Sequence, residues 1–78
     1  MLSKEQHDLL VPSRMLLKHI YDGGSAHHLP MDLYLRIWNE LGKFPVDTNC
    51  NACKIEMAKE LFTEILLYEK ENGIEIAT

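Results

Sequence analysis

The sequence predicts an all-α fold in the form of a compact three-helix domain. In three separate segments apolar residues recur at the spacing of one helix face, and no stretch alternates apolar and polar residues as a half-buried strand does. Glycine and proline residues separate these segments, at points where helices end or begin. A chain of 78 residues has room for one core, so we expect residues 1–78 to form a single helical domain.

The first helix is predicted within Ser3 to Asp22, and Ser3 with Gln6 matches a capping box at its start. Pro12 removes a backbone donor and clashes with the preceding turn. We therefore expect a break there, with the better helix from about Ser13 to Asp22, and four helices in total if Pro12 splits the first. Gly23 and Gly24 then end it.

The second helix is predicted from Pro30, which suits the first turn of a helix, to about Leu41, with Gly42 as its stop. Its apolar residues cover most of its circumference, which is typical of a central helix that contacts both neighbours. They are Met31, Leu33, Tyr34, Leu35, Ile37, Trp38 and Leu41. This apolar surface exceeds what a three-helix domain of this size needs, and the excess indicates a binding surface.

The linker that follows is predicted to be anchored by Phe44. Thr48 or Asn49 can cap the third helix, which runs to about Asn72 before Gly73 ends it. Its apolar stripe comprises Ile55, Ala58, Leu61, Phe62, Ile65, Leu66 and Tyr68. The acidic residues Glu64, Glu69, Glu71 and Glu75 suggest an acidic mimic of DNA, but a solvated helix face explains them equally well.

Composition excludes some classes of function. Eight basic and twelve acidic residues give this acidic protein a formal net charge of −4. No cluster of Lys or Arg offers the basic surface that general nucleic-acid binding needs. No apolar stretch is long enough for a signal peptide or a membrane span, so we expect a soluble, cytoplasmic protein without a membrane partner.

Cys50 and Cys53 stand where a turn becomes the third helix, and three interpretations apply to them. As zinc ligands they need two further ligands, for which His27 and His28 are candidates. In the usual zinc-finger order the histidines follow the cysteines, whereas here every histidine precedes them. Redox CxxC motifs follow a strand, and the approach FPVDTN predicts none. We therefore expect both cysteines to pack as small apolar residues, with no cofactor, and zinc is the alternative.

No nucleophile–base arrangement, nucleotide-binding glycine pattern or paired-carboxylate site is recognisable, so neither an enzyme nor a small-molecule substrate is predicted. We predict instead a protein–protein interaction module that binds another protein or itself, as a homo-oligomer. Aromatic side chains dominate interface hot spots. The contact residues predicted on this basis are Tyr34, Leu35, Trp38 and Leu67.

A small trihelical DNA-binding protein is a further alternative. The start of the third helix carries Asn49, Asn51 and Lys54, which can reach base edges. However, Glu56 and Glu60 follow and would face phosphate, so nucleic acid is not the expected partner.

The stretch YLRIWNELGKFPVDTNCNACKIEMAKEL resembles short CxxC-containing helical proteins of bacteriophage genomes. The shared features are an aromatic-rich helix that ends in Gly, a Pro-containing linker and a Thr/Asn-Cys-x-x-Cys helix start, over about residues 33–61. The resemblance implies a viral or mobile-element origin. It also implies a virion accessory part, or a small inhibitor-like factor that binds and redirects a host protein in the host cytoplasm. Only Cys50 and Cys53 match that family's motif residue by residue.

Overall fold

The computed structural model describes residues 2–24 and 29–74 of the chain. These residues contain four α-helices. No strand occurs in these two ranges, so the all-α prediction is confirmed. The helices are α1 (Lys4–Leu10), α2 (Arg14–Tyr21), α3 (Met31–Glu40) and α4 (Asn51–Glu71). Because α1 and α2 are two parts of one broken helix, the architecture is that of a three-helix domain.

The break between α1 and α2 falls at Pro12, as predicted. A short 3-10 turn, Val11–Ser13, joins the two helices. At the start of α1 the predicted capping box is formed: the Gln6 N–H donates to the Ser3 hydroxyl, and the Ser3 N–H donates to the Gln6 side chain. Two of the amides that a helix start leaves unpaired are thereby satisfied.

The glycine stops are also confirmed, at Gly23, Gly42 and Gly73. Each has a positive φ, and after each of them the chain turns back on the helix in the same way. At the end of α3, for example, the Gly42 N–H donates to the Asn39 carbonyl and the Lys43 N–H donates to the Trp38 carbonyl. This pair of hydrogen bonds is the Schellman motif, which satisfies carbonyls left over at a helix end.

The start of α4 differs from the prediction. Its N-cap is Cys50, whereas Thr48 or Asn49 was expected. The carboxylate of Asp47 accepts the Asn49 N–H at 2.9 Å, which is the hydrogen bond of an Asx turn. Thr48 and Asn49 are therefore used in the turn, and the helix begins only after it.

The central helix is α4 and not α3, which corrects the sequence analysis. Twenty-one residues make α4 about 32 Å long, long enough to pack against α1, α2 and α3. The core is one cluster, whose fully buried large side chains are Leu10, Leu17, Ile20, Tyr34, Ile37, Met57, Leu61 and Ile65. No helix within the described residues combines the length and the apolar composition needed to cross a membrane.

Candidate functional site

The linker between α3 and α4 forms an apolar surface with the end of α3. We call it the Trp38–Phe44 surface; its residues are Trp38, Leu41, Phe44, Pro45 and Val46. Two open cavities flank it. The larger, of about 550 Å³, lies between Trp38, Leu41, Phe44 and Glu60. The smaller, of about 270 Å³, extends along the linker to Cys53 and Met57 of α4.

Phe44 does not anchor the linker, contrary to the sequence analysis. Its side chain is 89% exposed. The linker is held in other ways: the indole N–H of Trp38 donates to the Phe44 carbonyl, and Val46 packs against the core. The backbone of Phe44 is therefore fixed while its ring faces solvent.

Charged side chains surround this apolar surface. The ammonium group of Lys43 lies 5.6 Å from the centre of the Trp38 ring. It also pairs with Glu60 at 3.3 Å and with Glu64 at 3.5 Å, both on α4. These contacts fix the linker against α4. Exposed carboxylates of Asp47, Glu56 and Glu60 also line the cavities, so the rim is mainly acidic.

Of the predicted contact residues, Tyr34 is excluded by the structure. It is fully buried in the core, because it lies on the same face of α3 as Ile37, and that face packs inward. Burial raises the pKa of Tyr34. In the folded chain no partner can reach this ring.

The other predicted contact residues lie at or near the surface. Leu35 and Trp38 are half-buried and pack against the core on one side. Leu67 is exposed on α4, one turn beyond Glu64, on the side of the helix that faces Lys43. Trp38 is thus the predicted residue that belongs to the Trp38–Phe44 surface, and Leu67 extends the region along α4.

Cys50 and Cys53 are free thiols, and both are half-buried. Cys53 lines the smaller cavity beside Trp38 and Phe44, while Cys50 is the N-cap of α4. Within residues 2–24 and 29–74, no group of three or more His, Cys, Asp or Glu residues is placed to hold a metal ion. His27 and His28 lie outside these ranges, so a zinc site formed with them stays a prediction.

A buried polar cluster was missed by the sequence analysis. Glu69 is only 5% exposed. His7 of α1 donates from Nε2 to its Oε2 at 3.0 Å, and Arg14 of α2 donates to its Oε1 at 2.9 Å. The His7 ring also stacks on Tyr68, with centroids 4.5 Å apart. Glu69 was expected on a solvated face, so its burial is a correction.

The charges of this cluster are matched internally. Burial by itself would raise the pKa of Glu69, but the hydrogen bonds from Arg14 and His7 outweigh it and hold the pKa below the ordinary value. Both carboxylate oxygens are engaged, so Glu69 has little capacity for acid–base chemistry on a substrate. The cluster connects helices. A signal for it exists in the sequence, since Glu69 follows Ile65 by four residues and so shares its buried face.

Comparisons with protein-family models, with curated proteins and with solved structures give no match for this chain. Its function is therefore inferred from the geometry above.

Proposed function

We propose that this chain is a small, non-enzymatic protein–protein interaction module that binds its partner through the Trp38–Phe44 surface. The observation that carries the proposal is the exposure of Phe44 on a linker whose backbone is fixed. An exposed aromatic ring is unfavourable in water, and burying a Phe side chain stabilises a complex by about 1.5–3 kcal/mol.

The way in which Phe44 is held supports a binding role. Ordering a side chain or a loop at an interface costs about 0.5–1.5 kcal/mol per side chain. Here the bond from Trp38 to the Phe44 carbonyl and the ion pairs of Lys43 order the linker in advance. Because the linker loses less conformational freedom when the complex forms, more of the free energy gained by burying Phe44 appears as affinity.

The acidic rim indicates the chemistry of the partner. Asp47, Glu56 and Glu60 line the cavities beside the ring, and the chain as a whole carries a net charge of −4. Such a surface favours a protein segment that presents an apolar side chain flanked by Lys or Arg, because complementary charges speed encounter and select the partner. A second acidic copy of this chain is a poorer match, so we place a heterologous partner before a homo-oligomer.

The resemblance of residues 33–61 to short bacteriophage proteins supports a viral or mobile-element origin for this module. On that basis we propose a viral accessory or inhibitor-like factor that binds a host protein in the host cytoplasm. The Trp38–Phe44 surface falls within the resembling stretch.

A capture experiment with matched variants tests the binding surface. Tagged wild-type protein, Phe44→Ser and Met15→Ser are incubated with host-cell lysate, and retained proteins are quantified by mass spectrometry. Met15 is 77% exposed on α2, so its variant removes a comparable apolar side chain elsewhere. We expect a basic partner that wild type and Met15→Ser retain equally, and that Phe44→Ser retains at least about 10-fold less, as for an interface hot spot.

Capture that survives Phe44→Ser but not Met15→Ser would place the binding surface on α2 and contradict the proposal. Light scattering of purified protein across a dilution series tests self-association. A dimer that Phe44→Ser abolishes would replace the heterologous partner with a second copy.

A further inference from the structure

The first turn of α4 brings the two cysteines of the chain next to each other. Cys50, the N-cap, has an extended backbone with φ −104° and ψ 110°. Its Sγ accepts the backbone N–H of Cys53 at 3.2 Å. In this geometry the N-cap side chain lies over the third residue of the helix, which is the position of Cys53.

This contact makes the two sulfurs chemically different. The neighbouring Cys53 thiol and the Cys53 backbone N–H lower the pKa of Cys50, although burial and the charge of Asp47 oppose the shift. The Cys50 thiol in turn raises the pKa of Cys53, and burial adds to this shift. A thiolate is the nucleophile in thiol chemistry. Cys50 is therefore the better attacking group, and Cys53 is the better resolving group.

The surroundings leave both sulfurs accessible. Each cysteine is half-buried and free, and neither belongs to the buried core cluster. Cys53 lines an open cavity of about 270 Å³. The pair therefore forms a half-buried cap at the start of α4, outside the core cluster.

We propose that Cys50 and Cys53 form a thiol–disulfide exchange site that takes a low-molecular-weight disulfide, of the glutathione type, as its oxidant. Cys50 is the attacking sulfur and Cys53 is the resolving sulfur. The proposal is independent of the binding role of the Trp38–Phe44 surface, because it depends on different atoms.

The exchange takes place in two steps. The Cys50 thiolate attacks one sulfur of the small disulfide, whose S–S bond breaks; one small thiol leaves with a proton, and Cys50 holds a mixed disulfide. The deprotonated Cys53 then attacks the Cys50 sulfur, and the second small thiol leaves. In total the two protein thiols are oxidised to one disulfide, and the small disulfide is reduced to two thiols.

This disulfide is expected to be reversible. The loop that it closes is very short, so it removes little entropy from the unfolded chain and stabilises the fold weakly. The reduced state, in turn, keeps the capping hydrogen bond from the Cys53 N–H to the Cys50 sulfur. An excess of small thiol should therefore return the protein to the dithiol.

The test follows the intact mass of reduced protein during incubation with oxidised glutathione, with a chelator present so that bound metal cannot mask the thiols. We expect the wild type to end as an internal disulfide, two hydrogens lighter, with no glutathione attached. Cys53→Ser should accumulate one glutathione on Cys50. Cys50→Ser should accumulate one glutathione on Cys53 and form no internal disulfide.

Serine is itself a good N-cap residue, so Cys50→Ser should keep α4 intact, and circular dichroism checks this. A wild type that stops with glutathione on both cysteines would overturn the proposal, since no resolution would then take place. In the wild type, the mixed disulfide trapped early by alkylation should carry the glutathione on Cys50; a glutathione found on Cys53 would overturn the assignment of Cys50 as the attacking sulfur.

Discussion

Glu69 is the residue at which three helices meet. Its carboxylate on α4 accepts hydrogen bonds from His7 on α1 and from Arg14 on α2. The Arg14 guanidinium also lies 5.9 Å from the centre of the Phe62 ring. A buried pair of this kind contributes little relative to an apolar pair of equal volume, but the loss of one partner leaves the other buried without a counter-charge. Substitution of Glu69 is therefore expected to lower the stability of the fold strongly.

We expect Glu69→Gln to lower the free energy of unfolding by about 3 kcal/mol, because Arg14 and His7 lose their anionic partner. Urea denaturation followed by circular dichroism measures this loss. Glu71→Gln is the control, because Glu71 is exposed on the same helix and its variant should change stability by less than about 0.5 kcal/mol. Equal effects of the two substitutions would contradict the role given to the buried cluster.

The depressed pKa of Glu69 predicts a specific dependence on pH. Its ionised form is favoured by folding, so its contribution is present above the ordinary pKa of 4.5. The contribution is lost as the pH falls from there through the lower pKa of the folded state. We expect the difference in the free energy of unfolding between the wild type and Glu69→Gln to shrink below pH 4.5.

Other charged or polar groups lie close to Glu69, and their effects on stability must be separated from its own. His7 and Arg14 face the carboxylate, and the Asp8 carboxylate lies 3.9 Å from the His7 ring. The measurement is therefore made in a His7→Gln background, with and without Glu69→Gln. A difference that stays constant from neutral pH to about pH 3, which lies below the ordinary glutamate pKa, would show that Glu69 is not stabilised as an anion.

At the scale of the elements, the ends of the helices are determined by local chemistry. The capping box at Ser3, the break at Pro12 and the three glycine stops all lie where the sequence predicts them. Each depends on residues within a few positions along the chain. The start of α4 is the exception, since an Asx turn at Asp47 moves the cap to Cys50. A cysteine cap is unusual because Ser, Thr, Asp and Asn are the preferred N-cap residues.

We expect Gly42→Ala to destabilise the fold by about 1 kcal/mol, because its φ of 73° is unfavourable for any residue with a Cβ. No atom lies within 4 Å of the added methyl group, so the effect is one of backbone strain and not of collision. In a domain of this size it should lower Tm by about 4–8 °C. An unchanged Tm in a scanning calorimeter would contradict the left-handed stop. Asn39→Ala, at an exposed position of the same helix, is the control.

At the scale of the whole molecule, one long helix organises the fold. Because α4 packs against the other three helices, its inward faces carry six of the twelve buried core residues in the described ranges. Its outward face borders the Trp38–Phe44 surface. A chain of this length buries only a modest share of its surface and is correspondingly marginal in stability. In such a domain, the loss of a side chain that packs against the core lowers stability more than the loss of an exposed side chain.

Trp38 and Phe44 should differ in this respect. We expect Trp38→Ala to lower the free energy of unfolding by about 2–3 kcal/mol, because Trp38 packs against the core and holds the linker. Phe44→Ala should change it by less than about 0.5 kcal/mol, because its ring is exposed. Urea denaturation of both variants measures the difference. A large loss of stability in Phe44→Ala would mean that its ring supports the fold, and the binding surface would have to be placed elsewhere.

The sequence by itself determined the helical class, the break at Pro12 and the helix ends. These follow from periodicity and from the conformations that Pro and Gly allow, which are properties of a few neighbouring residues. It did not determine which helix is central, whether Tyr34 faces a partner, or how Phe44 and Glu69 are placed. Those outcomes depend on which helix faces meet. Tyr34 points inward because of the way α3 lies on α4, and Glu69 is buried because His7 and Arg14, more than fifty residues away in sequence, arrive beside it only in the folded chain.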